Sequence, residues 1–152
     1  MIPQDRLKWS KLRDCEGVAI VEFAVGLSLL LLFVLGIMEF GYLWYQKQII
    51  TNASREGARY GITYATDSSG NRIAPKNLSP TISTVVANYL AGRIPTSAYT
   101  ITVVDNTGYQ TGTKGQDLIV QVSCQNEMDL LSGFLPQLAN LTFSAQTIMK
   151  CE

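Results

Sequence analysis

The sequence contains no histidine among its 152 residues. Because histidine is the commonest general base and metal ligand in proteins, its absence excludes Ser–His and Cys–His nucleophilic arrangements. Twelve basic residues balance twelve acidic residues, so no excess charge indicates a nucleic-acid partner. No group of residues suggests a cofactor, a metal ion or a small-molecule substrate. We therefore expect a protein that is not an enzyme.

Charge is also missing from a long N-terminal stretch. The 21 residues of 18–38 are almost all apolar, contain no proline, and include Glu22 as their single charged residue. A helix of about 20 apolar residues is long enough to cross a bilayer. Taking an ionised carboxylate into hydrocarbon costs several kcal/mol, which makes an acid at this depth a candidate functional residue.

Gly17 lies directly before the apolar stretch and ends a leader, residues 1–17, with four basic side chains. If the chain is cut after Gly17, the new α-amine of Val18 and the carboxylate of Glu22 are four residues apart. The amine and the acid can then neutralise each other, within one subunit or between neighbours. An uncut signal anchor is the alternative, and it leaves Glu22 unexplained.

A single long helix is predicted over residues 18–61, with its membrane-spanning part at about 18–41. At about 1.5 Å per residue this helix is about 65 Å long, twice what a bilayer needs. The surplus must leave the membrane and pack on something. The outer half is amphipathic, with Gln46, Arg55 and Arg59 elsewhere on the helix and a predicted stripe of Tyr42, Tyr45, Ile49, Asn52, Ala53 and Tyr60.

The remainder predicts an α+β head at 79–152, reached through a loop at 62–78. Ser79 is the expected N-cap of a second helix and Pro80 its first residue. Three segments with period-2 alternation, ending at Val103, Cys124 and Cys151, predict a three-stranded antiparallel sheet. The intervening 105–116 segment is expected to be an exposed hairpin loop.

The N-terminal pattern resembles the class III signal of type IV prepilins: a short basic leader, Gly17, five residues ending in Glu22, then an apolar helix. Two further motifs resemble the TadE-like family of minor pilins from tight-adherence (Flp) pili, and this likeness covers about residues 17–61. The motif residues are Glu39, Phe40 and Gly41, followed by Arg55, Glu56, Gly57, Ala58 and Arg59.

This resemblance implies a minor pilin or pseudopilin that takes part in the biogenesis of an adhesive Flp pilus. A prepilin peptidase would cut between Gly17 and Val18 on the cytoplasmic side of the bacterial inner membrane. The new N-terminus, comprising Val18, Glu22 and Phe23, would take part in assembly, and the head would be exported. The implied partners are the peptidase, other pilins or pseudopilins, the inner-membrane assembly platform and the lipid bilayer.

Two other classes of protein agree with the same residues. One is a pseudopilin of the type II secretion kind. The other is a single-pass, uncleaved anchor that carries a periplasmic adhesion or binding domain. An anchored enzyme is disfavoured by the absence of histidine.

Cleavage after Gly17 would remove Cys15 and leave Cys124 and Cys151 on the exported side, where disulfides can persist. If the second and third strands are antiparallel neighbours, these two cysteines lie at opposite ends. A disulfide between them therefore requires the last strand to pair with the first, or the chain end to curl back. The alternative is two buried thiols that pack as small hydrophobic groups.

Overall fold

The computed structural model describes residues 5–63, 65–125 and 141–152, with side chains from residue 17 onward. The predicted α+β fold is confirmed: a long N-terminal helix precedes a small head that combines helices with a three-stranded antiparallel sheet. The elements are α1 (Asp5–Ile62), a 3-10 turn (Pro75–Asn77), α2 (Ile82–Leu90), a second 3-10 turn (Thr96–Ala98), β1 (Tyr99–Val103), α3 (Thr107–Thr111), β2 (Asp117–Gln125) and β3 (Thr142–Lys150).

Helix α1 is a single helix of 58 residues. It begins earlier than the predicted start at residue 18 and passes through Gly17 without a break. No proline interrupts it, which removes the commonest cause of a helix kink. The apolar half of α1 is exposed, and the outer half packs against the head.

The sheet has the strand order β1-β2-β3, and both pairs are antiparallel. Alternate side chains of the central strand β2 form the middle of the core, and they are at most 1% exposed. Helices α1 and α2 cover this face of the sheet. The residues that β2 contributes are Leu118, Val120, Val122 and Cys124.

Close packing of α1 on the head depends on two glycines. A Cβ atom at Gly61 would lie 2.4 Å from Leu118 Cδ2 and 2.7 Å from Ile82 Cδ1. Gly57 lies one turn earlier and faces Val86 of α2 in the same way. The absence of side chains at these positions lets the α1 backbone touch both α2 and the sheet.

The buried stripe of α1 agrees with the prediction at Ile49 and Ala53 but differs at other positions. Gln46 is 2% exposed, whereas Tyr45 and Asn52 are exposed. The small residues farther along α1 explain this rotation, because Gly57 packs directly against Val86 and Gln46 lies three turns before it on the same side. The aromatic residues therefore do not set the packed face.

Two local predictions for the head were wrong. The N-cap of α2 is Thr81, whose side chain accepts a hydrogen bond from Thr84 N, so Ser79 and Pro80 lie outside the helix. The 105–116 segment is not an exposed loop throughout, since it contains α3 with Asn106 as its N-cap. Gly108 of α3 is buried. A Cβ atom at this position would lie 2.1 Å from Asp117 O, so only a glycine fits against β2 there.

Candidate functional site: the N-terminal helix and its junction with the head

The predicted cleavage and assembly residues lie together on the exposed part of α1. Val18 is 67% exposed and Phe23 is 70% exposed. Glu22 is exposed as well and follows Val18 by about one helical turn, a rise of about 6 Å. In the continuous helix the nitrogen of Val18 is a peptide nitrogen, so the predicted amine–carboxylate pair requires a cut chain.

Packing does not explain the glycine at position 17. A Cβ atom built on Gly17 would meet nothing within 4 Å, and its φ angle is not in the left-handed region. A glycine inside a helix is about 1 kcal/mol less favourable than alanine. Gly17 therefore weakens the helix without a compensating contact among residues from 17 onward.

The exposed apolar part of α1 is long enough and apolar enough to cross a membrane. Where it ends, Phe40 and Trp44 stack with ring centroids 6.4 Å apart, and Tyr45 lies exposed beside them. Aromatic side chains are enriched at the boundary between a bilayer and water. This cluster is where α1 would leave the hydrocarbon.

Glu39 lies at the same boundary but is buried. It is 1% exposed, and neither carboxyl oxygen has a hydrogen-bond partner in the part of the chain that the structure describes. Gln46 lies two turns further along the same stripe and is 2% exposed, with its Oε1 also unpartnered there. Buried acceptors without donors are unfavourable, so these two residues form an unusual buried polar strip on α1.

The second predicted motif separates into two roles. Gly57 and Ala58 are buried and take part in packing against the head. Arg55, Glu56 and Arg59 are on the other side, where Arg59 Nη2 lies 2.7 Å from Glu56 Oε1. The hydrogen bond from Arg59 lowers the pKa of Glu56 below its ordinary value, although both side chains are largely solvated.

Two contacts that the sequence did not reveal fasten β3 to α1. Lys47 Nζ donates a hydrogen bond to the backbone oxygen of Ser144. The hydroxyl groups of Ser54 and Thr147 share a hydrogen bond of 2.7 Å. A lysine and a serine in a helix give no sequence signal for a particular strand partner, because such contacts depend on the register of distant segments.

The disulfide between Cys124 and Cys151 is contradicted by the register of the sheet. Cys124 lies opposite Phe143, whereas Cys151 follows the far end of β3 and donates its backbone N–H to Gln116 O. Eight residues of strand separate Phe143 from Cys151, about 26 Å at about 3.3 Å per residue. Bonded cysteines need Cα atoms within about 7 Å.

Both thiols are instead part of the hydrophobic core. Cys124 is 1% exposed and Cys151 is 3% exposed. Burial raises the pKa of the Cys151 thiol above its ordinary value, which favours the neutral form. The packing alternative from the sequence therefore describes these residues.

A long apolar helix that could span a membrane, joined to a small α+β head, is the architecture expected of a pilin-like protein. The family model described as TadE-like protein matches residues 17–59, which run from the glycine before the apolar stretch to the second motif. The resemblance to the TadE-like family is thereby confirmed over the inner and outer halves of α1. No curated protein and no solved structure significantly matches the chain.

Proposed function

We propose that this chain is a minor pilin or pseudopilin that is processed by a prepilin peptidase and acts in the biogenesis of a tight-adherence pilus. The peptidase cuts between Gly17 and Val18. The mature protein stays in the inner membrane through α1, with its head exported, until it joins other pilins and the assembly platform. In this role it is a substrate and a structural component, not an enzyme.

The observation that carries the proposal is the unexplained glycine beside an exposed intramembrane acid. Within the part of the chain that the structure describes, Gly17 has no packing partner and no unusual backbone angle, so packing there gives no reason for a glycine. A peptidase that binds an extended chain does give one, because glycine lowers the cost of unwinding the helix at the cut.

Glu22 supports the same reading. It is exposed on a helix that could span a membrane, and an isolated carboxylate at that depth is unfavourable. Cleavage creates a positive α-amine four residues away, about 6 Å along the helix axis. Pairing in the same subunit or across a subunit boundary would reduce the cost of both charges.

The experiment is the N-terminal sequence and intact mass of the protein isolated from membranes of its native host. The proposal expects a mature chain that starts at Val18. A chain that starts at Met1 would overturn the processing step and leave an uncleaved membrane-anchored domain.

A matched pair of variants separates recognition of Gly17 from helix stability. Gly17→Leu should block maturation, whereas Gly26→Leu should not, although both glycines lie in α1 with nothing within 4 Å of a built Cβ. Equal processing of both variants and the wild type would show that Gly17 is not part of a cleavage signal.

A further inference from the structure

Contacts along α1 establish which end of the head lies nearest the membrane-spanning part. Ile82 packs beside Gly61, and Val86 packs beside Gly57, so α2 runs antiparallel to α1, toward the membrane. Strand β3 runs the opposite way, since Ser144 contacts Lys47 while Thr147 contacts Ser54. Between those two contacts β3 and α1 each advance about 10 Å, so the strand is nearly parallel to the helix.

The segment that follows α2, residues 91–98, is therefore at the membrane-facing end of the head. The strand pairing places this segment at the same position along the axis of α1. Tyr99 begins β1 opposite Cys124, and Cys124 lies opposite Phe143, the neighbour of Ser144. The segment thus turns at about the level of Lys47.

That level is close to the lipid headgroups. The 18–38 stretch is about 32 Å long at about 1.5 Å per residue, which matches a hydrocarbon layer of about 30 Å. Lys47 lies about 13 Å beyond Met38 along α1, and the headgroup layer occupies about 5–7 Å of that distance. An ordinary helix tilt of about 20° brings one side of the membrane-facing end of the head closer to the headgroups.

The membrane-facing segment carries the chemistry for phosphate. Arg93 is exposed and is the single charged residue of the whole 79–104 stretch, which contains no acid. Its guanidinium lies 4.8 Å from the centre of the Tyr89 ring and donates a hydrogen bond to the Tyr89 backbone oxygen. These two contacts orient the guanidinium group. Arginine has five N–H donors, and those left over can bind phosphate oxygens.

An open hollow of about 500 Å³ lies beside Arg93, lined also by Pro95, Thr96 and Tyr99. The residues of the 91–98 segment are exposed, apart from the buried Ile94 and Ala98. A hollow with one fixed cation, a hydroxyl and an aromatic ring suits an anionic headgroup with its glycerol. Continuity with the membrane-spanning part of α1 makes the bilayer the surface that this hollow faces.

We propose that residues 91–99 form a lipid-binding surface in which Arg93 binds the phosphate of an anionic phospholipid in the leaflet from which α1 emerges. This surface would hold the head against the membrane before the protein joins a pilus. The inference rests on the proposed membrane anchoring, and it goes beyond it by assigning a second, charged contact between the head and the bilayer.

The test places a photo-crosslinking residue, p-benzoylphenylalanine, at Thr96 of the full chain in vesicles of phosphatidylcholine and phosphatidylglycerol at a low protein-to-lipid ratio. Mass spectrometry should identify phosphatidylglycerol adducts at Thr96. The matched control is Thr113, which is exposed at the membrane-distal end of the sheet and should give none. Flotation of the same samples measures insertion independently of cross-linking.

A second pair of variants tests the role of the guanidinium. Arg93→Glu should reduce lipid adducts at Thr96 by at least several-fold while flotation is unchanged. Lys76→Glu makes the same change of charge at the membrane-distal end and should leave the adducts unchanged. Arg93→Lys, which keeps the positive charge, should retain most of them.

Three results would overturn the inference. They are adducts to a second protein copy in place of lipid, no adduct at Thr96, and lipid adducts that are equal in the wild type and Arg93→Glu. Loss of flotation in the wild type would overturn the membrane anchoring as well, which separates failure of the proposed function from failure of the lipid contact alone.

Discussion

A Cβ atom built on Gly57 would lie 2.4 Å from Cγ2 of Val86, so the backbone of α1 directly contacts a side chain of α2. Val86 is fully buried, and a β-branched side chain in a helix has one strongly preferred rotamer. Neither partner can therefore move away easily. The small residue in the second family motif is explained by this contact.

Gly57→Ala should destabilise the head. Alanine improves helix propensity by about 1 kcal/mol, but overpacking a well-packed core costs about 1–3 kcal/mol. We expect a net loss of about 1 kcal/mol or more, measured by thermal unfolding of the full chain in detergent. Gly41→Ala is the control, since nothing lies within 4 Å of its built Cβ, and it should not lower stability. Equal effects at both positions would contradict the packing role of Gly57.

A substitution at Glu39 should stabilise the protein, in contrast to Gly57→Ala. The carboxyl oxygens of Glu39 are buried and unpartnered within the described residues, so Glu39→Gln, which removes the charge and keeps the shape, should stabilise the isolated protein. An unsatisfied buried amide costs about 1–3 kcal/mol and an unpaired buried charge costs more, so the expected gain is the difference between the two. Urea unfolding of the full chain in detergent measures it. Glu22→Gln is the exposed control and should have little effect on unfolding. A loss of stability in Glu39→Gln would show that the carboxylate has a favourable partner.

The long helix and the alternating strands could be predicted from the sequence because each rests on local periodicity. The 18–38 stretch, the stripe of α2 and the period-2 pattern of β2 need no knowledge of distant residues. The TadE-like segment could also be recognised, because its motifs lie on one continuous helix. For these elements the prediction from the sequence and the structure agree.

The contacts that bring α1 and the head together could not be predicted in the same way. The rotation of α1 is determined by Gly57 and Gly61 fitting against α2 and β2, and a glycine in sequence reads first as a weakness in a helix. The rotation also places Gln46 on the packed side of α1. The positions of Cys124 and Cys151 likewise depend on strand order, which the alternation of side chains leaves open.

The two core cysteines should remain reduced in the native protein. Their positions at opposite ends of the sheet prevent a disulfide within the chain. Burial makes both thiols inaccessible and raises the pKa of the Cys151 thiol, which slows reaction. Iodoacetamide should therefore modify neither Cys124 nor Cys151 in the folded protein and both after denaturation, as read by peptide mass spectrometry. Cross-linked peptides containing both residues would contradict the sheet register.

The raised pKa of Cys151 also gives the direction of a pH effect. The folded state favours the protonated thiol of Cys151. The free energy of unfolding therefore carries no penalty from this thiol at neutral pH, where it is protonated in both states. It falls as the pH rises above the pKa of an unfolded cysteine, because only the unfolded chain then releases the proton freely. Cys151→Ala should lessen the loss of stability between neutral and alkaline pH. An unchanged pH profile would show that the thiol is not the group responsible.

The last prediction separates assembly from processing at the N-terminal end of α1. Glu22→Ala should leave cleavage after Gly17 largely intact, because Glu22 lies beyond the cut, on the exposed surface of a continuous helix. It should impair incorporation into pili, because the α-amine of Val18 then lacks the carboxylate that would neutralise it in a low-dielectric surrounding. The measurements are the mature mass from membranes and the amount of the protein in sheared pili. Glu56→Ala removes an acid from the solvated side of the same helix, where a surface ion pair is worth at most about 1 kcal/mol, and should leave both measurements unchanged. Normal incorporation of the Glu22→Ala protein would contradict the pairing role, whereas loss of cleavage would extend the processing signal beyond Gly17.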